Sequence, residues 1–446
     1  MSICWPPPSP PVASYTVRTD RHAARAAERR ALLTGEPLRV ALLTYRGNPF
    51  CGGQGVYVRH LSRELVRLGH SVDVVSGPPY PCLDDGVRLI ELPGLDLYRE
   101  PDPFRMPRRN EYRDWVDALE VATMMTAGYP EPLTFSLRAR KLLRERGGDY
   151  DVVHDNQTLG YGLLGLSRLG LPLVTTIHHP IHIDRALELA AAKGWRRVSL
   201  RRWYGFTRMQ RRVARTLREV VTVSASSAQQ IVAHLDVPAS RIEVVPIGTD
   251  TDRFSPDPSV ARIPGKVVTT ASADVPLKGL LPLIEAIAKV RTERHVELVV
   301  VGSTKAGGQV ADLIERYSLG QVVRFTGRVA EDDLIHHLRS AELVVVPSLF
   351  EGFSLPLVEA MACGTPVVAT TGGALPEVAG AHGETALLVP PGDPQALAAA
   401  IGAALDDAPS RARLGAAGRE RVVARFTWRA AAQRTADVYR RAVLGR

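Results

Sequence analysis

Cysteine is scarce in this chain. Cys4, Cys51, Cys82 and Cys363 are spread over 446 positions, and no two form a Cys-x-x-Cys pair. Such spacing supplies neither a disulfide framework nor a tetrahedral zinc site, and it suits a reducing compartment. Long apolar runs are missing as well: none approaches the roughly 20 residues that span a bilayer. The amino terminus, MSICWPPPSPPVASY, has no basic segment leading into an apolar one, so no secretory signal is read there and a cytoplasmic location is expected. No G-x-G-x-x-G follows the first strand pattern with an acid some 20 residues on, which disfavours a nicotinamide-dependent oxidoreductase. No nucleic-acid-binding motif accompanies the basic residues.

What remains is an ordinary globular composition, 45% hydrophobic and 23% charged, long enough for two cores. The net charge of +9 is unevenly placed. Residues 1–250 hold 34 Lys and Arg against 26 Asp and Glu, and the rest hold 22 against 21. A basic first half favours a polyanionic partner, such as a phosphorylated substrate or an acidic membrane face.

Residues 1–36 read as a disordered tail: its Pro-rich start cannot build a core, and VRTDRHAARAAERRALL has the composition of a short basic helix. From Leu38 the pattern changes. LRVALLTY reads as a buried strand, GNPFCGGQG as a loop, VYVRHLSRELVRLGH as a helix and SVDVVS as a second strand. DVVHDN, PLVTTIHH, EVVTVSAS and IEVVPIG continue the alternation. After a polar, Pro-containing divide near Gly248–Pro264, KVVTTAS, VELVVVG, VVRFTG, ELVVVPS, TPVVATT and TALLVPPG repeat it with helices between. The expected fold class is α/β: two Rossmann-like domains, 37–250 and 251–425, facing each other across a cleft, with a helix over 426–446 packing back toward the first.

Chemistry concentrates after ELVVVPS, in Glu351-Gly-Phe-Ser-Leu-Pro-Leu-Val-Glu359. A helix starting near Leu355 leaves Glu351 in the loop at a strand end and puts Glu359 about a turn inside, on the cleft side. Free N–H groups at that helix start can bind phosphate oxygens, while the carboxylates accept hydroxyl protons from ribose and sugar. Two acids alone would more often be surface residues. Here they run on into MACGTPVVATTGGALPEVAG, with a second strand, a Gly-Gly turn and a third acid, Glu377.

The run from PSLFEGFSLPLVEAMACGTPVVAT through GGALPEV to LLVPPGDPQAL resembles the donor half of family-4 retaining glycosyltransferases of GT-B fold. The first half is similar to the same family in its Gly-Gly loop, LVRLGHSVDVV, DVVHDN and VVPIGTDTDRFSP, so the resemblance covers roughly residues 38–440. It implies a metal-independent transfer, with retention, from a nucleotide-diphosphate sugar to a hydroxyl acceptor, lipid-linked or part of the cell envelope, and no cofactor. Carried onto this chain, Glu359 would hold the ribose and Glu351 the transferred sugar. The amides of Phe353, Ser354 and Leu355 would meet the diphosphate or sugar, Lys278 in DVPLKG would neutralise the diphosphate, and Gly52 and Gly53 would let backbone approach the phosphates. His178 in TTIHHP would lie near the reacting centre, so the catalytic set is His178, Lys278 and Glu351.

Three positions depart from the family pattern. An Arg usually five or six residues before the Lys is replaced by Ser272 and Ala273. A His-x-His reads His154-Asp155-Asn156, and EGFG reads EGFS. The lost Arg leaves open a second reading, a non-catalytic or regulatory sugar-nucleotide binding protein, beside a transferase acting on a soluble small molecule. A phosphorylase or epimerase of the same fold is disfavoured by the lack of a pyridoxal-lysine context and by the acidic spacing. As metal sites, the cluster of His178, His179 and His182 is broken by Pro180, and Asp250-Thr-Asp252 lies in the interdomain divide; no metal is expected at either. Finally, Ala190–Arg218 holds ten Lys and Arg, no acid, and Trp195, Trp203, Tyr204 and Phe206. It reads either as a surface for an anionic membrane, making the enzyme peripheral on the inner membrane face, or as a solvated helix whose aromatics pack inward.

Overall fold

The computed structural model describes residues 35–48, 53–99, 102–178, 181–271, 275–304 and 307–445. The expected tail, 1–36, lies almost wholly outside them, as do Gly52, His179, Ser272 and Ala273. Two parallel sheets organise the chain. The first has seven strands: β1 (Arg39–Thr44), β2 (Ser71–Ser76), β3 (Arg88–Glu91), β4 (Val152–Asn156), β5 (Leu173–Thr176), β6 (Glu219–Thr222) and β7 (Ile242–Val244), in the order β3-β2-β1-β4-β5-β6-β7. The second has β8 (Ile263–Thr270), β9 (Glu297–Val301), β10 (Val323–Phe325), β11 (Ala341–Val346), β12 (Val367–Thr370) and β13 (Leu387–Val389), in the order β10-β9-β8-β11-β12-β13. Central strands such as RVALLT and ELVVV are buried at every position after the first because helices cover both faces. Twelve of these thirteen strands are the ones expected from sequence. The extra one, β3, is a four-residue edge strand with no fully buried position, too short and too polar to show a pattern.

In the first half the helices are α1 (Gly53–Arg67), α2 (Trp115–Met125), α3 (Glu131–Arg146), α4 (His182–Ala191), α5 (Gly194–Trp203), α6 (Phe206–Ala214) and α7 (Ala225–Leu235). In the second they are α8 (Leu280–Val290), α9 (Gln309–Arg316), α10 (Glu331–Ser340), α11 (Leu355–Ala362), α12 (Leu375–Ala379), α13 (Pro394–Asp406), α14 (Ala408–Arg425) and α15 (Trp428–Leu444). Each sheet reverses direction of growth once, between β1 and β4 and between β8 and β11. Crevices outside the carboxyl ends of the strands at such points are where ligands bind in this architecture.

The chain passes between the halves twice, side by side. Thr249 pairs with Thr427, and a side chain on Gly248 would meet the Thr427 backbone at 2.4 Å, so only glycine lets the crossings touch. Arg419 clamps the crossing from α14, donating to the carbonyls of Thr251, Phe254 and Ala362. The last helix, α15, then lies against α1 in the first half, as expected. Trp428 stacks on His60 with ring centroids 5.1 Å apart, and the Tyr439 hydroxyl meets His154 Nδ1 at 2.6 Å. No helix among the described residues is long and apolar enough to cross a membrane.

Candidate functional site in the cleft

In the second half of the chain the site grows from the β8/β11 reversal. After β8 the chain makes a one-turn helix, Pro276–Lys278, that ends at Gly279 with φ 65°. A Cβ on Gly279 would stand 1.9 Å from the Pro347 carbonyl oxygen, so the Lys-Gly pair is pressed against the backbone leaving β11. Leu349 N donates to Leu277 O at 2.7 Å and fixes the register. The Lys278 ammonium therefore lands 2.8 Å from Glu351 Oε1, which also accepts from the Ser348 hydroxyl at 2.7 Å. Residues 73 positions apart thus form one charge-paired corner.

Glu359 sits on the first turns of α11 with a strip open to solvent. Burial, and next the charge of Glu331, raise its pKa to about 7, against the pull of Lys278. Ser354 caps α11 at φ 92°, a left-handed conformation natural only to glycine. Its hydroxyl is buried and has no protein partner among the described residues. The Phe353 side chain turns inward against Phe426, ring centroids 5.6 Å apart, leaving its backbone at the cleft, and Leu355 opens the helix. The departure from EGFG to EGFS therefore replaces the one residue type at ease in this cap. Ser354→Gly is expected to raise unfolding stability by about 1 kcal/mol through released backbone strain, read from the urea midpoint.

In the first half the β1/β4 reversal carries the partners. His154 and Asn156, two apart on β4, point to one face. His154 goes to the core, with Tyr439 and the Thr176 hydroxyl (2.7 Å) on its two nitrogens, and burial lowers its pKa to about 3. Asn156 instead meets His178 Nε2 through Oδ1 at 2.8 Å. The His178 amide donates to Gln157 Oε1 at 2.6 Å, and the Tyr57 ring stands edge-on to its imidazole at 4.7 Å. Asp155 points the other way, where its carboxylate accepts the Leu159 amide, and burial raises its pKa to about 6. At the end of β1, Arg46 and Tyr129 both bind Glu131, whose pKa burial raises to about 7.

Sequence reasoning did not single out Tyr57, Gln157, Ser227 or Ser348, because each is an ordinary polar residue until the fold sets it beside a motif. It also chose Gly52 and Gly53 from the loop. Gly53 is the first residue of α1, and Gly52 lies outside the described residues. The glycine shown to be sterically required is Gly55, where a Cβ would meet the Asn48 carbonyl oxygen at 2.1 Å.

Other expected features also found places. Asp250, half of the Asp-x-Asp, binds Arg63 at 3.1 Å and the amides of Asp252 and Arg253, which makes it a turn and ion-pair residue. His182 is stacked on His234, away from His178. In 190–218 only Trp195 projects fully, 81% exposed. Tyr204 is buried, Trp203 packs among Tyr98, Phe104 and Tyr129, and Phe206 contacts Tyr129, so three of the four aromatics face protein.

The two halves also match known sequences separately. Residues 51–253 match the profile described as Glycosyltransferase Family 4, and residues 256–421 that of Glycosyl transferases group 1. An MMP α-(1→4)-mannosyltransferase of Mycolicibacterium hassiacum is 51% identical over 407 residues, covering 91% of this chain and 98% of the relative. A D-inositol 3-phosphate glycosyltransferase of Kineococcus radiotolerans is 30% identical over 92% of this chain and 96% of its own. Among solved structures, sucrose-phosphate synthase from Thermosynechococcus elongatus superimposes with a TM-score of 0.70 at 25% identity over 91% of this chain and 98% of that one. Anabaena HepE in complex with UDP-glucose gives 0.65 at 20% identity over 90% and 98%, a likeness of fold.

Proposed function

This chain belongs to glycosyltransferase family 4 and is a glycosyltransferase of GT-B fold; from that premise we propose that it transfers mannose from a nucleoside-diphosphate mannose to the 4-hydroxyl of an acceptor sugar, with retention. The observation that carries the choice of sugar and linkage is the 51% identity, over almost the whole of both chains, to an α-(1→4)-mannosyltransferase. An α-linked donor giving an α-linked product is net retention. One observation on the other half is in keeping with it: Asp155, one of the two acids that could serve an inverting displacement as base, is turned to the far face of β4 and accepts the Leu159 amide; the side chain of the other, Asp184, lies outside the described residues.

In this reading the diphosphate lies across the start of α11, where helix N–H groups and Lys278 face the growing negative charge of the leaving phosphate. Glu359 accepts the ribose hydroxyls. Glu351, shared between Lys278 and Ser348, accepts hydroxyls of the mannosyl group, and the unpartnered Ser354 hydroxyl offers a further donor. His178, fixed in tautomer by Asn156 and in tilt by Tyr57, points at the reacting sugar. The intact Lys278–Glu351 corner favours catalysis over simple binding, with the lost Arg at Ser272 and Ala273 compensated by stronger reliance on Lys278. A peripheral role of this cytoplasmic enzyme at an anionic membrane face rests on the ten cations of 190–218 rather than on aromatic insertion, since only Trp195 is free to insert.

The test is a panel of nucleotide sugars with purified protein and a mannoside acceptor, the product analysed by mass spectrometry and NMR. We expect mannose to be the preferred sugar, the new linkage to be α-(1→4), and activity to survive EDTA, because protein cations and amides balance the leaving group. A β-linked product overturns retention, preference for another sugar overturns the donor, and loss in chelator restored by magnesium or manganese overturns metal independence.

A further inference from the structure

Glu377 is an acid that the transfer chemistry above does not use. It stands on the short helix α12 of the donor half, and its carboxylate reaches across the cleft to α7 of the acceptor half. Oε2 accepts the Ala225 amide and Oε1 the Ser226 amide, each at 2.7 Å. These are the first two residues of α7, whose N–H groups have no intrahelical acceptor, and the positive end of the helix favours a carboxylate there. Ser224 Oγ takes the next amide, that of Ser227, at 2.9 Å, so the turn is fully engaged.

Both ends of this contact are tied to the reacting centre. On the acceptor side, the Ser227 hydroxyl lies 2.9 Å from the His178 carbonyl oxygen and 3.2 Å from that of Gly352. On the donor side, Ala374 N donates to the Glu351 carbonyl at 2.9 Å. Gly373, at φ 64°, brings the start of α12 so close that a Cβ would stand 2.3 Å from the same oxygen. Arg421 holds α12 from behind, donating to the carbonyls of Val378 and Glu377. The carboxylate therefore fixes the turn that carries His178 against the loop that carries Glu351, although the two lie on different halves of the chain.

We propose that Glu377 is a positioning residue for glycosyl transfer: seated on the amino end of α7, it latches the halves in the arrangement that sets His178 beside Glu351. The proposal rests on reading the cleft as the site of transfer. The contact is open to solvent, so it holds the closed form modestly and reversibly. A cleft that admits two substrates and releases two products needs a closure of that kind.

Two variants remove the latch from opposite sides. Glu377→Ala deletes the carboxylate. Ala225→Pro deletes one amide at the first helical position, where proline is well tolerated, and Ser224 before it is already extended at φ −158° and ψ 162°. On the full chain, each variant is expected to lower kcat about tenfold while the dissociation constants of GDP and UDP, measured by calorimetry, stay within about twofold of wild type. Small-angle scattering with saturating nucleoside diphosphate should give a larger radius of gyration for both variants than for wild type. The double variant should be no worse than Glu377→Ala alone, because both remove one interaction. Glu377→Gln, which keeps a carbonyl acceptor, should recover part of kcat. Unchanged radius and near-normal kcat in both variants overturn the proposal. So does a loss of nucleotide affinity matching the loss of kcat, which would make Glu377 a support of the donor half alone. If wild type transfers no sugar yet the variants still open in scattering, the latch stands and the transfer reading falls.

Discussion

Replacing Lys278 with alanine is expected to lower kcat for glycosyl transfer by about 10²- to 10³-fold, the range for losing a preorganised electrostatic donor. The physical case begins with Gly279. Its backbone is left-handed and lies so close to Pro347 that a Cβ there would stand 1.9 Å from the carbonyl oxygen, which seats the Lys278 turn against the end of β11. The ammonium is thus held at the corner where Glu351 lies, 2.8 Å away. A diphosphate bound along the start of α11 would share that cation with Glu351, and its negative charge grows as the glycosidic bond breaks. Water could solvate the product diphosphate afterwards, but it cannot be organised in advance as the lysine is. Because Ser272 and Ala273 stand where a second cation is usual, the transfer should depend the more on Lys278.

The same substitution should barely change stability. The Lys278 side chain is 31% exposed, and pairs of that kind contribute little to folding. Glu351 also keeps its bond from Ser348. Steady-state kinetics beside a denaturation curve separate the two effects. Turnover within about fivefold of wild type would remove Lys278 from the catalytic set.

The second large effect concerns Glu359 and carries a sign in pH. Its pKa, raised to about 7 by burial and by Glu331, leaves the group partly protonated at neutral pH. Ribose hydroxyls need the ionised form, since a carboxylate accepts two hydrogen bonds more strongly than a carboxylic acid does. Donor binding should therefore weaken as pH falls through 7, with the donor KM about tenfold higher at one unit below the pKa than well above it. Glu359→Gln should flatten that profile and raise the donor KM about ten- to a hundredfold at pH 8, the cost of two hydrogen bonds to a charged acceptor. Asp155 and Glu131 also have raised pKa values, but both lie on the acceptor half, so a donor KM profile that persists in Glu359→Gln would assign the titration to another group.

Much of this was open to a reader of the sequence alone, for a definite reason. Parallel strands covered on both faces are buried along most of their length, so many of them, β1, β9 and β11 most plainly, stand out by runs of Val and Leu. Residues that act through one short loop and the helix after it, such as Glu351 and Glu359, keep their spacing in the chain and are visible there. Lys278-Gly279 is visible too, as the turn after a strand. The edge strand β3 gave no such signal, since half-exposed positions and four residues carry no period.

What the tertiary structure alone decided are relations between residues far apart in the chain. Nothing local says that Tyr439 lies 2.6 Å from His154, at a separation of 285 residues, or that Asn156 rather than His154 is the partner of His178. Alternation puts both on one face of β4; α15 then covers that face at His154, and Asn156, at the carboxyl end of the strand, is left to meet His178. Likewise Trp203, which in sequence belongs to a basic aromatic stretch, turns inward because Tyr98, Phe104 and Tyr129 are brought around it. Glu377 shows the same limit most clearly. In sequence it is one acid after a Gly-Gly turn; its carboxylate acquires a partner only when α12 and the first turn of α7, 152 residues earlier, are brought together by the closing of the cleft. Local composition fixes which segments are strands, helices and phosphate-facing loops, because those depend on neighbours within a few residues. Which side chains meet across the cleft depends on how the two sheets pack, and no period in the chain encodes it.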